Sequence, residues 1–244
     1  IFYYLENKKI NYLKEINIDF NKIKRLTIIE NEDYEDENKD EEEDENNINK
    51  KQINNFFEIL FSINNINNNL IYLNIKLKEC KINPELFENI NNFKLLRYLY
   101  IENIYFNKDF IIKLNKLKLL SIISCENIKL SEISNDELNI LDLSHNNISD
   151  INILKKVNFK ELNKLDLSYN YISDINILSK ANFKELNKLD LSYNKISDIN
   201  IFAKVNFKEL NKLDLSCNYI SDINILEKLN FKVLNKLDLS HNKI

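Results

Sequence analysis

Apolar residues in the second half of the chain recur at fixed positions with a period of 24 residues. Each copy carries leucine at its first, fourth and sixth positions, as in Leu162, Leu165 and Leu167. The last two lie two residues apart, which is the spacing of side chains on one face of a β-strand. We therefore predict one short strand per repeat, with these leucines in a continuous core. The copies begin at Leu138, Leu162, Leu186, Leu210 and Leu234.

The same spacing continues upstream in a less regular form. Apolar residues again occupy positions one, four and six in the segments that begin at Ile23, Leu70, Leu96 and Leu117. Stacked repeats need neighbours to cover their apolar faces. Because Leu237 and Leu239 of the last copy would lie on an uncovered end, we expect the array to be truncated at its C-terminus.

This pattern divides the chain into three predicted regions. They are a partial N-terminal repeat or cap over residues 1–22, irregular repeats over 23–137 and regular repeats over 138–244. An acidic insert at residues 30–50 interrupts the irregular region, and we predict that it is disordered because like charges oppose collapse.

The pattern LxxLxLSxNxIxDI of the regular copies resembles the leucine-rich repeat. Its Ile-Ser-Asp-Ile tail resembles the class shared by bacterial internalins and a eukaryotic phosphatase regulator. The resemblance is strong over residues 138–244 and weaker over 23–137. It implies an α/β solenoid, a curved leucine-rich-repeat horseshoe with a parallel concave β-sheet and short helical or 3-10 convex segments.

Asparagine occupies position 9 of every regular copy, where the chain leaves the strand. Its amide can bond to backbone groups that a turn leaves without sheet partners. The chain has no glycine, so we also expect asparagine wherever the backbone needs a positive φ. Position 9 is predicted to be a structural ladder of Asn146, Asn170, Asn194, Asn218 and Asn242.

Positions 3, 5 and 7 of the strands define the surface that a partner would contact. In the regular copies they repeat lysine, aspartate and serine, and we expect the two charged columns to neutralise each other. In the irregular copies they carry aromatic and aliphatic side chains, which are typical of binding hot spots. The alternative is that a register slip, or a helix around residues 56–61, buries them. The candidate partner-binding residues are Tyr72, Tyr98, Tyr100, Leu119, Ile123 and Ile140.

Candidate catalytic chemistry is limited to one pair of residues. Cys217 and His241 occupy position 8 of neighbouring copies, and a Cys–His pair can act as nucleophile and base. No third residue that would orient the histidine is identified, so we predict no catalytic residue and no enzyme. A phosphate-binding loop cannot form without glycine, and the two histidines are too far apart to share a metal. We therefore expect no cofactor and no metal.

Charge is unevenly distributed along the chain. The run at residues 30–45 holds 12 acidic residues and one lysine, a net charge of −11. The whole chain has 34 basic and 38 acidic residues, so the remainder has 33 and 26, a net charge of +7. Such a run suits a basic partner.

Cysteine usage and hydropathy bear on location. The three cysteines, Cys80, Cys125 and Cys217, form neither a disulfide framework nor a paired zinc motif. No apolar run approaches the roughly 18 residues of a membrane span. We expect an intracellular, cytoplasmic protein with the nucleus as the alternative, although a leader upstream of Ile1 stays open.

Together these features predict a non-enzymatic scaffold that binds another protein on the concave face. Nucleic acid and membranes are not expected partners, since the lysine columns alternate with aspartates and the chain has only two arginines. The alternative is a binder or chaperone of basic proteins, such as histones, that acts through the acidic run at 30–45.

Overall fold

The structure is a computed structural model that describes part of the chain. The described residues are 2–5, 23–29, 57–58, 68–82, 85, 89–111, 116–129, 136–152, 154, 159–181, 183–229 and 231–244. The predicted acidic insert at 30–50 lies outside them, as do most residues of the predicted N-terminal cap at 1–22. The chain forms two compact units. Unit 1 comprises residues 1–112 and 125–129, and unit 2 comprises residues 113–124 and 130–244.

Unit 1 is built on parallel strands joined in the register that the apolar spacing predicts. Leu26 of one strand pairs with Leu73 of the next, which pairs with Leu99, and all three are buried. A 3-10 helix, Asn89–Asn92, precedes one strand and buries Ile90. The strands are β1 (Phe2–Leu5), β2 (Arg25–Ile29), β3 (Tyr72–Ile82), β4 (Tyr98–Ile111) and β6 (Glu126–Lys129).

Unit 2 repeats one short parallel strand in each coil. Successive strands pair without slipping, so that Leu165 lies beside Leu189 and Leu189 beside Leu213, and all three are buried. This confirms the predicted parallel sheet with its leucine core. The strands are β5 (Leu119–Ile123), β7 (Ile140–Asp142), β8 (Lys164–Asp166), β9 (Lys188–Asp190), β10 (Lys212–Asp214) and β11 (Lys236–Asp238).

The return segment of the regular coils is a short 3-10 helix, the convex element that the resemblance implies. These helices are Asn176–Ser179, Asn200–Ala203 and Asn224–Lys228. In the first of these coils, Asp174 Oδ1 accepts a 2.8 Å bond from the backbone N–H of Asn176, which satisfies a donor at the start of the helix. Phe159 and Phe183 stack with ring centroids 5.8 Å apart and close the core behind the helices. None of the described helices is long and apolar enough to cross a membrane.

The expectation that asparagine fills the positive-φ positions is wrong. In every regular copy position 8, one residue before the ladder asparagine, is left-handed and is His, Tyr or Cys, and Asn147 at position 10 of the first copy is left-handed as well. Tyr169 and Tyr193 both have φ of 53°, and Cys217 has 54°. Position 8 of the irregular copies has the same conformation in Asn103 and Ser124. The turn geometry therefore fixes φ at this position without fixing the residue type.

Candidate functional site

Three of the predicted partner-binding tyrosines come together in unit 1. Strand pairing places Tyr72 beside Tyr98, and the two-residue period of β4 directs Tyr98 and Tyr100 to the same face. The ring centroids of Tyr72 and Tyr98 are 6.5 Å apart, and those of Tyr72 and Tyr100 are 5.3 Å apart. Tyr98 is 36% exposed, while Tyr72 and Tyr100 are half-buried. We call Tyr72, Tyr98 and Tyr100 the tyrosine cluster.

The register rules out one of the two ways in which these tyrosines were considered to be buried. Leu73 and Leu99, which alternate with them along β3 and β4, are the residues that the core buries. No register slip has therefore turned the tyrosines inward in this part of the sheet. Phe57, in the segment around which a covering helix was considered, is itself fully buried. The binding role of the tyrosines stays a prediction.

Arg25 adds a positive charge to the tyrosine cluster. It begins β2 directly beside Tyr72, and its guanidinium carbon lies 4.5 Å from the centre of the Tyr72 ring. Arg25 and the three residues of the tyrosine cluster, together with Lys24 and Ile71, line a cavity of about 460 Å³. Arg25 was not among the residues predicted from the sequence, although it occupies position 3 of its copy, the same column as Tyr72 and Tyr98.

The phenol of Tyr100 is held in its neutral form. Burial raises its pKa, the neighbouring phenols of Tyr72 and Tyr98 raise it further, and the charge of Arg25 opposes them only in part. A phenol whose pKa lies above its ordinary value stays protonated throughout the neutral range. Tyr100 therefore presents a hydroxyl donor beside a permanent cation.

The three aliphatic candidates lie in unit 2. Leu119 and Ile140 are register partners in β5 and β7, and both are half-buried. Ile123 ends β5 and is also half-buried. Their place on the strand surface agrees with positions 3 and 7, and their binding role stays a prediction.

The lysine, aspartate and serine columns differ from the expected surface lattice. Three of the position 7 serines are buried, and two of them, Ser168 and Ser192, are only 7% and 5% exposed. They turn back to the aspartate of the same strand. Asp166 Oδ1 accepts a 2.7 Å bond from Ser168 Oγ and a 3.2 Å bond from its N–H. The same pair of bonds recurs at Asp142, Asp190, Asp214 and Asp238.

Lysine contributes to this lattice at Lys164, whose ammonium lies 3.1 Å from Asp166 Oδ2. Burial lowers the pKa of Lys164, but the hydrogen bond and charge of Asp166, together with Asp142 and Asp190, outweigh it, and the net shift is upward. At Asp190 burial raises the pKa and outweighs the two bonds from Ser192. The charges of Asp166 and Asp214 add to this rise in the pKa of Asp190.

The position 9 asparagines are bonded to the backbone of two coils. Asn194 Nδ2 donates to the carbonyls of Leu167, Leu191 and Ser192 at 2.9 to 3.1 Å. Its Oδ1 accepts a 2.9 Å bond from the N–H of Ile172, one coil back. Asn146, Asn170, Asn218 and Asn242 make bonds of the same kind. A second ladder, at position 2, was missed: Asn187 Nδ2 donates 3.1 Å to the carbonyl of Glu209.

The candidate Cys–His pair lies on neighbouring coils, and each residue interacts with other side chains. Hydrogen bonds with Cys217 and then Tyr169 raise the pKa of the Tyr193 phenol. His241 acts on Asp238, whose pKa is lowered by its bonds from Ser240 and, more weakly, by Lys236 and His241. In the described part of the chain, no group of three or more His, Cys, Asp or Glu residues is arranged to hold a metal ion.

Two family models match the regular coils. The model described as "Leucine Rich repeats (2 copies)" matches residues 184–228, and the one described as "Leucine Rich repeat" matches residues 135–151. The regular coils are therefore leucine-rich repeats. Leucine-rich-repeat proteins are generally non-enzymatic binding scaffolds, and their fold commonly mediates protein–protein interaction.

Solved leucine-rich-repeat structures resemble the chain. An internalin (inlF) from Listeria monocytogenes is 26% identical with a TM-score of 0.51, over 72% of this chain and 56% of that one. The ectodomain of the membrane receptor kinase GASSHO1/SCHENGEN3 from Arabidopsis thaliana, solved in complex with Casparian strip integrity factor 2, is similar in fold. It is 22% identical with a TM-score of 0.55, over 90% of this chain and 24% of that one. This chain thus spans about half of the internalin and a quarter of the ectodomain. No curated protein sequence matches it.

Proposed function

We propose that the chain is a non-enzymatic scaffold that binds a partner protein through the strand surface of its leucine-rich repeats, with the tyrosine cluster as the anchor. The observation that carries this proposal is the cavity of about 460 Å³ where three tyrosines from two strands meet Arg25. Tyrosine and arginine are enriched among the residues that dominate binding energy at interfaces. Leu119, Ile123 and Ile140 of unit 2 are proposed as partner-binding residues in their own right.

Preorganisation supports this choice of anchor. Tyr72 is held between Arg25 and the other two tyrosines, so these side chains lose little rotamer freedom when a partner binds. Nearby, Lys76 and Glu102 neutralise each other at 2.9 Å. An exposed ion pair of this kind contributes little to binding. The phenol hydroxyls of the tyrosine cluster suit a partner that supplies acceptors.

A double substitution tests the proposal. Tyr98→Ser with Tyr100→Ser removes two anchors, each worth about 2 kcal/mol, so capture of the partner from an extract of the source cells should fall by at least about 100-fold. The matched control is Lys188→Ala with Lys212→Ala, which trims two exposed side chains of unit 2 and keeps the Asp–Ser bonds. A photo-crosslinking side chain at position 98 should label the same partner. Equal capture by both variants would refute the assignment.

A second candidate function rests on charge. The run at residues 30–45 carries −11, and it favours a binder or chaperone of basic proteins such as histones. A pull-down of core histones with the run present or deleted separates the two functions. Loss of histone binding on deletion, with the tyrosine variant silent, would favour the second.

We also propose that the chain works in a reducing compartment, the cytoplasm or the nucleus. Cys217 is a half-exposed thiol, and the sulfur of buried Cys125 accepts from the N–H of Ile104 at 3.4 Å. Cysteines used in this way suit an environment that keeps them reduced. Imaging of a tagged chain in its own cells tests this, and recovery of the chain from the medium would contradict it.

A further inference from the structure

A groove on the surface of unit 2 is lined by exposed tyrosines. It encloses about 480 Å³ and runs along the coils between two columns, positions 8 and 10. Large apolar side chains seldom cluster at the surface of a protein unless the surface binds something. The groove tyrosines are 43%, 50%, 46% and 48% exposed, in the order Tyr169, Tyr171, Tyr193 and Tyr219. We call this feature the tyrosine groove.

The position 8 wall is rigid. His145 stacks on Tyr169 with ring centroids 4.1 Å apart, and Tyr169 stacks on Tyr193 at 4.0 Å. The positive φ of each residue directs its ring along the column, and stacking on the neighbour holds it there. Because the ring faces are occupied by one another, this wall presents ring edges and hydroxyl groups to a ligand.

The position 10 wall alternates tyrosine with lysine. Lys195 Nζ lies 4.3 Å from the centre of the Tyr171 ring, and Lys243 Nζ lies 4.6 Å from that of Tyr219. Tyr171 and Tyr219 occupy the same position of repeats that are two coils apart. With strands about 4.8 Å apart, the tyrosines of this wall repeat at about 9.6 Å.

The floor of the groove offers a ligand no further bonds. Asn170 and Asn194 lie there, but their amides are bonded to the backbone of the ladder. Among the lining residues that the structure describes there is no Asp or Glu, while Lys195 is present. What remains for a ligand is phenol hydroxyls and an ammonium group. The groove is thus complementary to an extended chain that carries free carbonyls and a negative charge.

The spacing of the walls selects the conformation of that chain. Polyproline II has three residues per turn and a rise of about 3.1 Å, so it repeats at about 9.3 Å and leaves its carbonyls unbonded. A β-strand repeats at about 6.7 Å, and an α-helix at about 5.4 Å. Of the three, polyproline II alone keeps step with tyrosines about 9.6 Å apart. Grooves lined with aromatic residues are also a known mode of polyproline II recognition.

We propose that the tyrosine groove binds a proline-rich, acidic segment of another protein in the polyproline II conformation. Successive turns of the segment contact Tyr171 and Tyr219, whose hydroxyls donate to its carbonyls, and an acidic side chain pairs with Lys195. This site is separate from the tyrosine cluster, so either can fail without the other.

A synthetic peptide of four Pro-Pro-Glu repeats is the probe, titrated into the full chain. The chain has no tryptophan, so its tyrosine fluorescence reports binding directly. We expect saturable binding that is at least about 10-fold tighter than that of four Gly-Gly-Glu repeats, which carry the same charge without the conformation. Absence of binding by the proline peptide, or equal binding by the glycine peptide, would overturn the proposal.

A register swap tests the spacing itself. Tyr171→Lys combined with Lys195→Tyr keeps the composition but places the tyrosines one coil apart instead of two. We expect at least about 10-fold weaker binding of the proline peptide, which corresponds to about 1.4 kcal/mol. Binding as tight as that of the unchanged protein would overturn the argument from spacing.

Two further variants guard against misfolding and overlap. Tyr219→Lys leaves the Tyr171–Lys195 contact in place and introduces a residue that the same column already carries in Lys243. Tyr219→Lys should weaken binding of the proline peptide to a similar degree while the thermal melt is unchanged. Unchanged binding would count against the groove as the binding site. Tyr98→Ser with Tyr100→Ser should leave peptide binding intact, and loss of binding there would place the peptide on the tyrosine cluster instead.

Discussion

Unit 1 and unit 2 repeat the same apolar positions but differ in the residues that fill the other positions of each strand. In unit 2, position 5 is aspartate in every regular copy and position 9 is asparagine. In unit 1, position 5 is Thr27, Asn74 and Tyr100 in successive strands. Repetition makes each unit 2 coil structurally equivalent to the next, whereas variation gives unit 1 a local surface found at one place along the sheet.

The difference extends to the bonds between coils. In unit 2 an amide at position 9 donates to three carbonyls, as Asn194 does. In unit 1 the same position of one copy is Cys125, whose thiol donates at 3.9 Å to the carbonyl of Ile101. A thiol is a weaker donor than an amide. The comparison indicates that identical polar ladders stabilise the regular coils. The irregular coils have weaker bonds at this position and a surface of more varied chemistry.

The largest expected effect comes from breaking the position 9 ladder. Asn194→Ala leaves the carbonyls of Leu167 and Leu191 and the N–H of Ile172 without this partner. Unsatisfied buried groups cost about 1–3 kcal/mol each, so we expect a loss of about 3 kcal/mol in a denaturant melt. Hydrogen exchange should rise in unit 2 and not in unit 1.

The position 2 ladder provides the control for this substitution. Asn187→Ala removes one exposed bond, to Glu209, and should cost less than about 1 kcal/mol. If the two alanine variants unfolded at the same denaturant concentration, the buried ladder would not be the source of unit 2 stability.

A second, smaller effect tests whether the two units share the geometry of position 8. A β-branched residue is poorly suited to positive φ, so Tyr193→Val should destabilise unit 2 by about 1–2 kcal/mol, and Asn103→Val should do the same in unit 1. Tyr193→Asn, which tolerates this backbone, is the matched control and should lose only the ring stacking, about 1 kcal/mol or less. A harmless valine at either site would mean that the turn geometry is not common to both units.

The strands and core could be predicted from sequence because apolar periodicity reports burial directly. Leu162, Leu165 and Leu167 are all fully buried, as their spacing requires. The left-handed residue could not be located, because without glycine the sequence carries no marker of positive φ, and the turn accepts Tyr and Cys alike. The sequence shows which repeat positions Arg25 and the position 10 tyrosines occupy. It does not show that Arg25 packs on Tyr72, or that lysines pack on the position 10 tyrosines, because these contacts depend on side-chain geometry.

The smallest effect concerns the column of aspartates at position 5 of the regular copies in unit 2. Burial, with the charges of Asp166 and Asp214, raises the pKa of Asp190 above that of the unfolded chain, in spite of the bonds from Ser192. The folded state therefore holds this proton more tightly, so the ionised carboxylate destabilises the protein at neutral pH and its cost disappears as the pH falls through the raised pKa. Asp190→Asn keeps an oxygen to accept from Ser192 and removes the charge.

We expect Asp190→Asn to raise the stability of the chain by about 1 kcal/mol or less at pH 7, since the site is partly exposed and solvent screens it. The advantage over the unchanged protein should shrink towards zero as the solution is made acidic. Thr27→Asp places one carboxylate at position 5 of unit 1, where the strand neighbour is the uncharged Asn74. Its effect on stability should therefore not show the same dependence on pH. Melts of these variants between neutral and acidic pH measure the comparison. A stability gain for Asp190→Asn that persisted at low pH would mean that packing, and not charge, distinguishes this column.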